Sequence, residues 1–208
     1  MRQESWPSDK SRDGKIVSVP MTLSDYLVES TAVLEAARAA IGQDVMDRSA
    51  DAVCEAFSQG KPLLLCGNGG SASDAMHITG ELVGRFLKER RAYRAICLSS
   101  NPAVLTAWAN DYSYDEVFAR QVEAYGEPGA VILGISTSGN SKNVVAAFEQ
   151  ARGMGMTVIA MTGEGGGAMG PLADHLLAVP SRSTPLIQQV HLCLYHYLCA
   201  TIECRMSA

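Results

Sequence analysis

The chain has 208 residues, which suits one domain with extensions, or at most two small ones. Lys plus Arg number 17 against 22 Asp plus Glu, a net charge of -5 that argues against a non-specific nucleic-acid binder. Apolar residues make up 47%, ample for a buried core, so disorder, collagen and coiled coil are excluded as overall descriptions.

Residues 1–20 are polar and charged and read as a flexible tail, with no apolar stretch of the secretory type. Apolar positions recur at helical spacing over 21–42, and a second helix is expected over about 43–59. Pro62–Cys66 is a short apolar strand, followed by a helix over Ser71–Lys88 with Ser71 and Asp74 in capping-box spacing. Tyr93–Leu98 is the second strand. Short helices are expected near Ala103–Ala109 and Tyr114–Tyr125. Ala130–Ile135, Met156–Met161 and His175–Val179 are the remaining strands, with a helix over Ser141–Gly153 and a glycine-rich turn over Gly163–Gly170. Thr184–Cys204 closes the chain as a helix. Its uncharged segment Leu186–Ile202 is interrupted by Gln188, Gln189, His191 and His196, so it reads as a buried helix and not a membrane span. Continuous apolar strands alternating with helices predict an α/β fold: a three-layer sandwich around a five-stranded parallel sheet, preceded by N-terminal helices. Residues 21–208 are read as a single domain. The six cysteines form no CxxC pair and are expected to be reduced, in a cytoplasmic protein.

Ligands of such sheets bind at the carboxyl ends of the strands. Two loops stand there. One is Cys66-Gly67-Asn68-Gly69-Gly70-Ser71 and the other Ser136-Thr137-Ser138-Gly139-Asn140-Ser141. Small residues admit a ligand to the backbone, and hydroxyls and helix N-terminal amides favour an anion. The first loop also fits G-x-G-x-x-A. However, the dinucleotide fingerprint needs an acid at the end of the next strand, and here that strand ends Leu98-Ser99-Ser100-Asn101. Neither loop carries a P-loop Gly-Lys-Ser/Thr. A phosphorylated small molecule is therefore expected, with no nucleotide cofactor.

His77 and Glu81 stand at i, i+4 on the helix after the first loop, and Arg85 extends that face by a turn. They read as an acid/base or metal pair, or as a solvated ion pair. His191 and His196 lie ~140° apart around the closing helix, so only one is expected to face a site and the other to pack in the core. His175 is read as structural.

Together GNGGSASDAMH, ELVGRF, LTAWANDYSYDEVFARQVEA, ISTSGNSKNV and LIQQVH…H resemble the sugar isomerase (SIS) domain and, within it, the phosphoheptose isomerase family. The resemblance covers about residues 21–205. It implies a flavodoxin-like fold and a homotetramer with active sites at subunit interfaces. It also implies conversion of sedoheptulose 7-phosphate, a phosphorylated seven-carbon sugar, to D-glycero-D-manno-heptose 7-phosphate for the heptose of bacterial surface polysaccharides. Phosphate contacts would fall on Ser136, Thr137, Ser138 and Ser141. Sugar contacts would fall on Asn68, Gly69, Gly70, Asn110, Asp111 and Gln188, with Ser71 and Arg85 beside them. Glu81 and His196 would be the catalytic pair. His77, Glu81, Gln188 and His196 would be the zinc set of some members, one ion per subunit. Leu186, Gln189 and Asn101-Pro102 depart from residues common in the family, which leaves the core chemistry in place. Neither nucleic acid nor membrane is an expected partner. The rival readings are a non-catalytic SIS interaction protein, of the kind that binds the bacterial replication initiator, and an isomerase of another phosphosugar.

The closing helix adds a geometric expectation. Gln188 and His196 are eight residues apart, ~12 Å along a regular helix and ~80° around it. A metal needs its N and O ligands within ~2.2 Å. One straight helix therefore does not bring both to one ion. Either the helix is irregular at Gln188, or a ligand comes from a neighbouring subunit, and the shared site is the favoured expectation.

Overall fold

A computed structural model describes residues 21–207, so the tail expected over residues 1–20 lies outside the described residues. Two helices open the fold, α1 (Leu23–Ala40) and α2 (Gln43–Ser58). Thr22 caps α1 with Asp25 in a reciprocal capping box, which satisfies two amides that the first turn leaves without helical partners. Then follow β1 (Leu63–Gly67), α3 (Gly70–Val83), β2 (Ala95–Cys97), α4 (Pro102–Asp111), a 3₁₀ turn at Tyr114–Glu116 and α5 (Ala119–Tyr125). The chain continues through β3 (Val131–Ser136), α6 (Lys142–Gly153), β4 (Thr157–Thr162), a 3₁₀ segment at Gly167–Leu172, β5 (His175–Ala178) and α7 (Thr184–Met206).

The five strands form one parallel sheet in the order β2-β1-β3-β4-β5. That order reverses between β1 and β3, which is the switch point of a flavodoxin-like sheet. Alternation along the strands sends side chains to two cores. Leu63, Leu65, Leu133, Ile135, Ile159 and Met161 pack with Val53, Ile78, Tyr195 and Ile202 of α2, α3 and α7. Leu64, Cys66, Ile132, Val158 and Ala160 pack with Val122 of α5 and Val144 and Phe148 of α6. The sheet is covered on both faces, as its unbroken apolar strands require.

Three local expectations need correction. The helix after the first loop does not run to Lys88. It ends at Val83 with Gly84 as C-cap, and the chain turns away as an irregular segment. Ser71 does not cap it either. Gly69, at φ 55° and ψ -122°, is the N-cap, and Ser71 is buried inside the first turn. The stretch Tyr114–Tyr125 is a 3₁₀ turn and a short helix with a break at Val117–Phe118, both of whose side chains are buried in the core. Among the described residues no helix is long and apolar enough to cross a membrane.

Candidate active site

β1 and β3 are hydrogen-bonded neighbours, with Gly67 opposite Ile135, so the loops that leave them open side by side. The Asn68 amide sits between them. It exchanges two hydrogen bonds of 2.9 Å with the buried Asn143 amide of α6, and its Oδ1 also accepts from the Tyr114 hydroxyl at 2.9 Å. Asn143 and Tyr114 escape a reading of the sequence. A buried amide next to a hydroxyl-rich loop becomes informative only once β1 and β3 are adjacent.

In the second loop the buried Ser136 hydroxyl lies 2.8 Å from that of Ser141 and 3.4 Å from that of Ser138. Ser138 Oγ accepts from the Asn140 amide at 3.1 Å, and Thr137 Oγ1 is 3.5 Å from Thr184 Oγ1 at the start of α7. Ser141 is the N-cap residue of α6, yet its hydroxyl makes no capping bond to the helix. The loop leans on the glycine-rich turn. Asn140 Oδ1 accepts from the Ala168 amide at 2.9 Å, Gly139 O from the Met169 amide at 3.0 Å, and Thr137 O from the Gly163 amide at 3.0 Å. Gly139 has φ +65°, and a Cβ there would overlap the Gly166 carbonyl.

The titratable cluster forms where α3 packs on α7. His77 Nε2 is 3.0 Å from Glu81 Oε1, and the His77 and His196 rings meet edge to face with centroids 5.1 Å apart. His77, Glu81 and His196 each present a ligand atom within 4.8 Å of the other two. The buried Tyr195 hydroxyl lies 2.9 Å from His77 Nδ1 and so orients the ring. Asp74, one turn before His77, has a buried Oδ2 with no partner. Burial pushes its carboxyl up, partly offset by the nearby His77. Tyr195 was also not legible in the sequence, because its role depends on the α3–α7 contact.

Of the expected metal set, one chain brings together all but Gln188. Helix α7 is continuous from Thr184, without the irregularity that would draw Gln188 toward His196. Gln188 instead reaches the first loop, where a Cβ on Gly70 would collide with its amide. Arg85 does not extend the His77–Glu81 face. It lies beyond the end of α3, exposed, and pairs with Glu89 at 3.1 Å. Asn110 and Asp111 are exposed at the end of α4, where the Asn110 amide donates to Asp111 Oδ1 at 2.9 Å. His191 is the core histidine: fully buried, its Nε2 bonded to the Thr162 carbonyl at 3.1 Å. All six cysteines are free.

Comparisons with known proteins bear on the fold and the family. The SIS domain family model matches residues 25–163. A phosphoheptose isomerase of Crocosphaera subtropica is 50% identical over 156 residues, 75% of this chain and 80% of that one. Another, from a Bradyrhizobium strain, is 48% identical over 184 residues, 87% of this chain and 92% of its own. The solved structure of a phosphoheptose isomerase from Francisella tularensis superposes with a TM-score of 0.83 at 35% identity, covering 88% of this chain and 98% of that one. With half of its residues shared across most of its length, and the same fold, the chain belongs to the phosphoheptose isomerase family of SIS-domain proteins.

Proposed function

We propose that the protein isomerises sedoheptulose 7-phosphate to D-glycero-D-manno-heptose 7-phosphate, an aldose–ketose interconversion that serves heptose synthesis for bacterial surface polysaccharides. The observation that carries this reading is the meeting of Glu81 and His196 in one chain, beside two small-residue loops at the switch point of the sheet. The Ser136–Ser141 loop takes the phosphate through hydroxyls and the N-terminus of α6. Asn68, Gly69, Gly70 and Gln188 bind the sugar, and Asn143 and Tyr114 hold the Asn68 amide in place. Asn110 and Asp111, exposed in a single chain, would reach sugar only where a neighbouring copy closes the cleft over them.

The hydrogen moves through an enediol. Glu81 removes a proton from C1 of the ketose while His196 gives one to O2. Glu81 then returns its proton to C2 as His196 takes back the O1 proton, which leaves the aldehyde at C1. Each of these contributions is worth roughly 10²–10⁴-fold. A binding-only SIS protein would have no need of an acid and a base so close together.

The donor set also fits zinc: two imidazoles and a carboxylate in mutual reach, one imidazole oriented through its other nitrogen by Tyr195. His77, Glu81 and His196 would hold the ion, which would supply Lewis-acid polarisation of the sugar oxygens. Gln188 is better placed for sugar. The protein assembles with itself, as the sequence resemblance implies, and the exposed apolar side chains of Leu23, Leu27 and Val28 on α1 support such an assembly. It works in the cytoplasm on a phosphosugar, with neither nucleic acid nor membrane as partner.

Sedoheptulose 7-phosphate incubated with the protein and followed by ¹H NMR should give the aldose signals, with solvent deuterium entering at C2. No conversion, with or without added zinc, would overturn the reading.

A further inference from the structure

One buried carboxylate lies outside the residues used so far. Glu203, on α7, is 2% exposed, and its partner Arg90, in the irregular segment after α3, has a side chain 5% exposed. The carboxylate is fully engaged. Oε1 accepts from the Phe86 amide at 3.0 Å and from Arg90 Nε at 3.1 Å, and Oε2 accepts from the Leu87 and Lys88 amides at 2.7 and 2.9 Å. Burial alone would raise its pKa, but three amides and a guanidinium hold it below the usual carboxylate range. Arg90 is equally committed. Its Nη2 donates to the Glu81 carbonyl at 2.7 Å, and its Nη1 to the carbonyls of Leu82 at 3.0 Å and Gly84 at 2.8 Å. These are last-turn carbonyls of α3, which have no helical partners of their own. The guanidinium also lies over the Tyr93 ring, 4.2 Å from its centroid.

This network touches both halves of the catalytic pair. Through Arg90 it holds the backbone of Glu81. Through the Phe86 amide it holds the ring that packs against His196, with centroids 5.7 Å apart. Glu203 itself stands seven residues after His196, two turns along the same face of α7. Removing one partner of a buried ion pair is strongly destabilising. Yet the pair as a whole adds little net stability over well-packed apolar groups, so stability alone is a weak reason to keep one.

We propose that Glu203 and Arg90 are positioning residues, forming a buried clamp between α3 and α7 that sets the separation of Glu81 from His196. The clamp rests on the reading that those two side chains carry the proton transfer. Neither Glu203 nor Arg90 touches substrate. Their contribution is to hold two groups, on different helices, in the narrow geometry that proton transfer needs. A displacement of about 1 Å there is enough to lose roughly 10²-fold in rate.

The test uses Arg90→Lys and Glu203→Gln. Lysine keeps the charge but cannot fork between Glu203 and the α3 carbonyls. Glutamine keeps the shape of Glu203 but turns an acceptor into a donor facing the amides. Phe86→Leu accompanies them: it leaves every amide-to-carboxylate bond in place, removes the ring that packs on His196 and replaces it at a half-buried core-edge position with another apolar side chain. The kcat per folded molecule is measured, with the folded fraction taken from circular dichroism, and KM is measured beside it. The clamp predicts kcat lower by roughly 10- to 100-fold with KM within about threefold of wild type, since the phosphate loop is untouched. Phe86→Leu should show the smaller loss. A purely structural pair would lower the folded fraction and leave kcat per folded molecule unchanged. Wild-type kcat in Phe86→Leu and in whichever ion-pair variant folds would overturn the proposal. Glu81→Gln is run in parallel. If it keeps its turnover, the catalytic assignment itself has failed; if it is inactive while the clamp variants are fully active, only the clamp has failed.

Discussion

At the scale of single residues, the two loops ask different things of their side chains. In the Ser136–Ser141 loop, proposed to take the phosphate, the hydroxyls of Ser136 and Ser141 bond each other, 2.8 Å apart, and Ser138 accepts from the Asn140 amide, so all three are already oriented before a ligand arrives. Oriented donors lose little on binding, and a hydrogen bond to a charged group is worth ~1.5–3 kcal/mol. Ser138→Ala and Ser141→Ala should therefore each raise KM by roughly 10- to 150-fold while leaving kcat near wild type. Steady-state kinetics decide it, and unchanged KM in both variants would remove the phosphate from this loop. These serines were legible in the sequence, because four hydroxyls in six residues exceed what a turn needs. Glu81 and His77 were legible as an i, i+4 pair, but only the resemblance to the family joined His196 to them. Asn143, Tyr114 and Tyr195 were not legible. Each acts on a neighbour that is remote in sequence, and no periodicity or spacing encodes that neighbour.

At the scale of elements, the strands and their layering follow from pattern more closely than the helix ends do. Unbroken apolar runs such as Leu63–Cys66 and Val131–Ile135 can be satisfied only in a sheet covered on both faces, so the layering was readable. The end of α3 was not. Phe86, Leu87 and Lys88 continue a helical pattern, but their amides are claimed by Glu203, more than a hundred residues away, and the helix stops at Gly84. A long-range acceptor thus overrides local propensity. The expectation that Arg85 shares the face of Glu81 failed for this reason. The phosphate loop shows the opposite case, a local glycine whose need is set by an adjoining turn. Gly139 combines a positive φ with no room for a Cβ against the Gly166 carbonyl. Gly165, at φ +77°, has nothing within 4 Å of such an atom. Gly165→Ala should lose only the backbone term, ~1 kcal/mol, whereas Gly139→Ala adds a collision that pushes the two loops apart. In a domain of this size ~1 kcal/mol shifts Tm by about 2–4 °C. Gly139→Ala should lower Tm by more than Gly165→Ala and should raise KM, which Gly165→Ala should not. Equal effects of the two on both readouts would show that the loop is not braced by the glycine-rich turn.

At the scale of the whole molecule, two predictions separate what one chain does by itself from what an assembly adds. The first concerns His191, whose burial pushes its imidazole down to about 4 against an ordinary value near 6.5. Its Nε2–H donates to the Thr162 carbonyl, and its buried Nδ1 has no partner, so the folded chain holds it neutral. Between pH ~6.5 and ~4 the unfolded chain binds a proton that the folded one refuses. The stabilisation is complete above ~6.5 and is lost as pH falls toward 4, in total about 3 kcal/mol. Urea melts across this range should show a shallower pH slope for His191→Gln than for wild type, and parallel slopes would reject the assignment. The second concerns how many chains build the reacting centre. Glu81 and His196 meet within one chain, held by the α3–α7 contact. Mixing Glu81→Gln with His196→Ala, by dissociation and reassembly, leaves every protomer with one defective member of the pair. If each reacting centre takes both residues from the same chain, no combination of protomers restores it, and activity should stay at the level of the inactive parents. If Glu81 of one chain works with His196 of another, as a site shared at this pair would require, some centres in the mixed assemblies join two intact residues. A random mixture of equal parts would then leave about a quarter of such centres intact, a recovery easily measured against an inactive background. Subunit exchange itself is verified by mass spectrometry of differentially tagged chains, so that silence in the assay has one meaning. Gln188 supplies the contrast, because it lies against Gly70 of the first loop and outside the group formed by His77, Glu81 and His196. Recovery between Gln188→Ala and Glu81→Gln, with none between Glu81→Gln and His196→Ala, would place the boundary between subunits across the sugar and leave proton transfer within one chain.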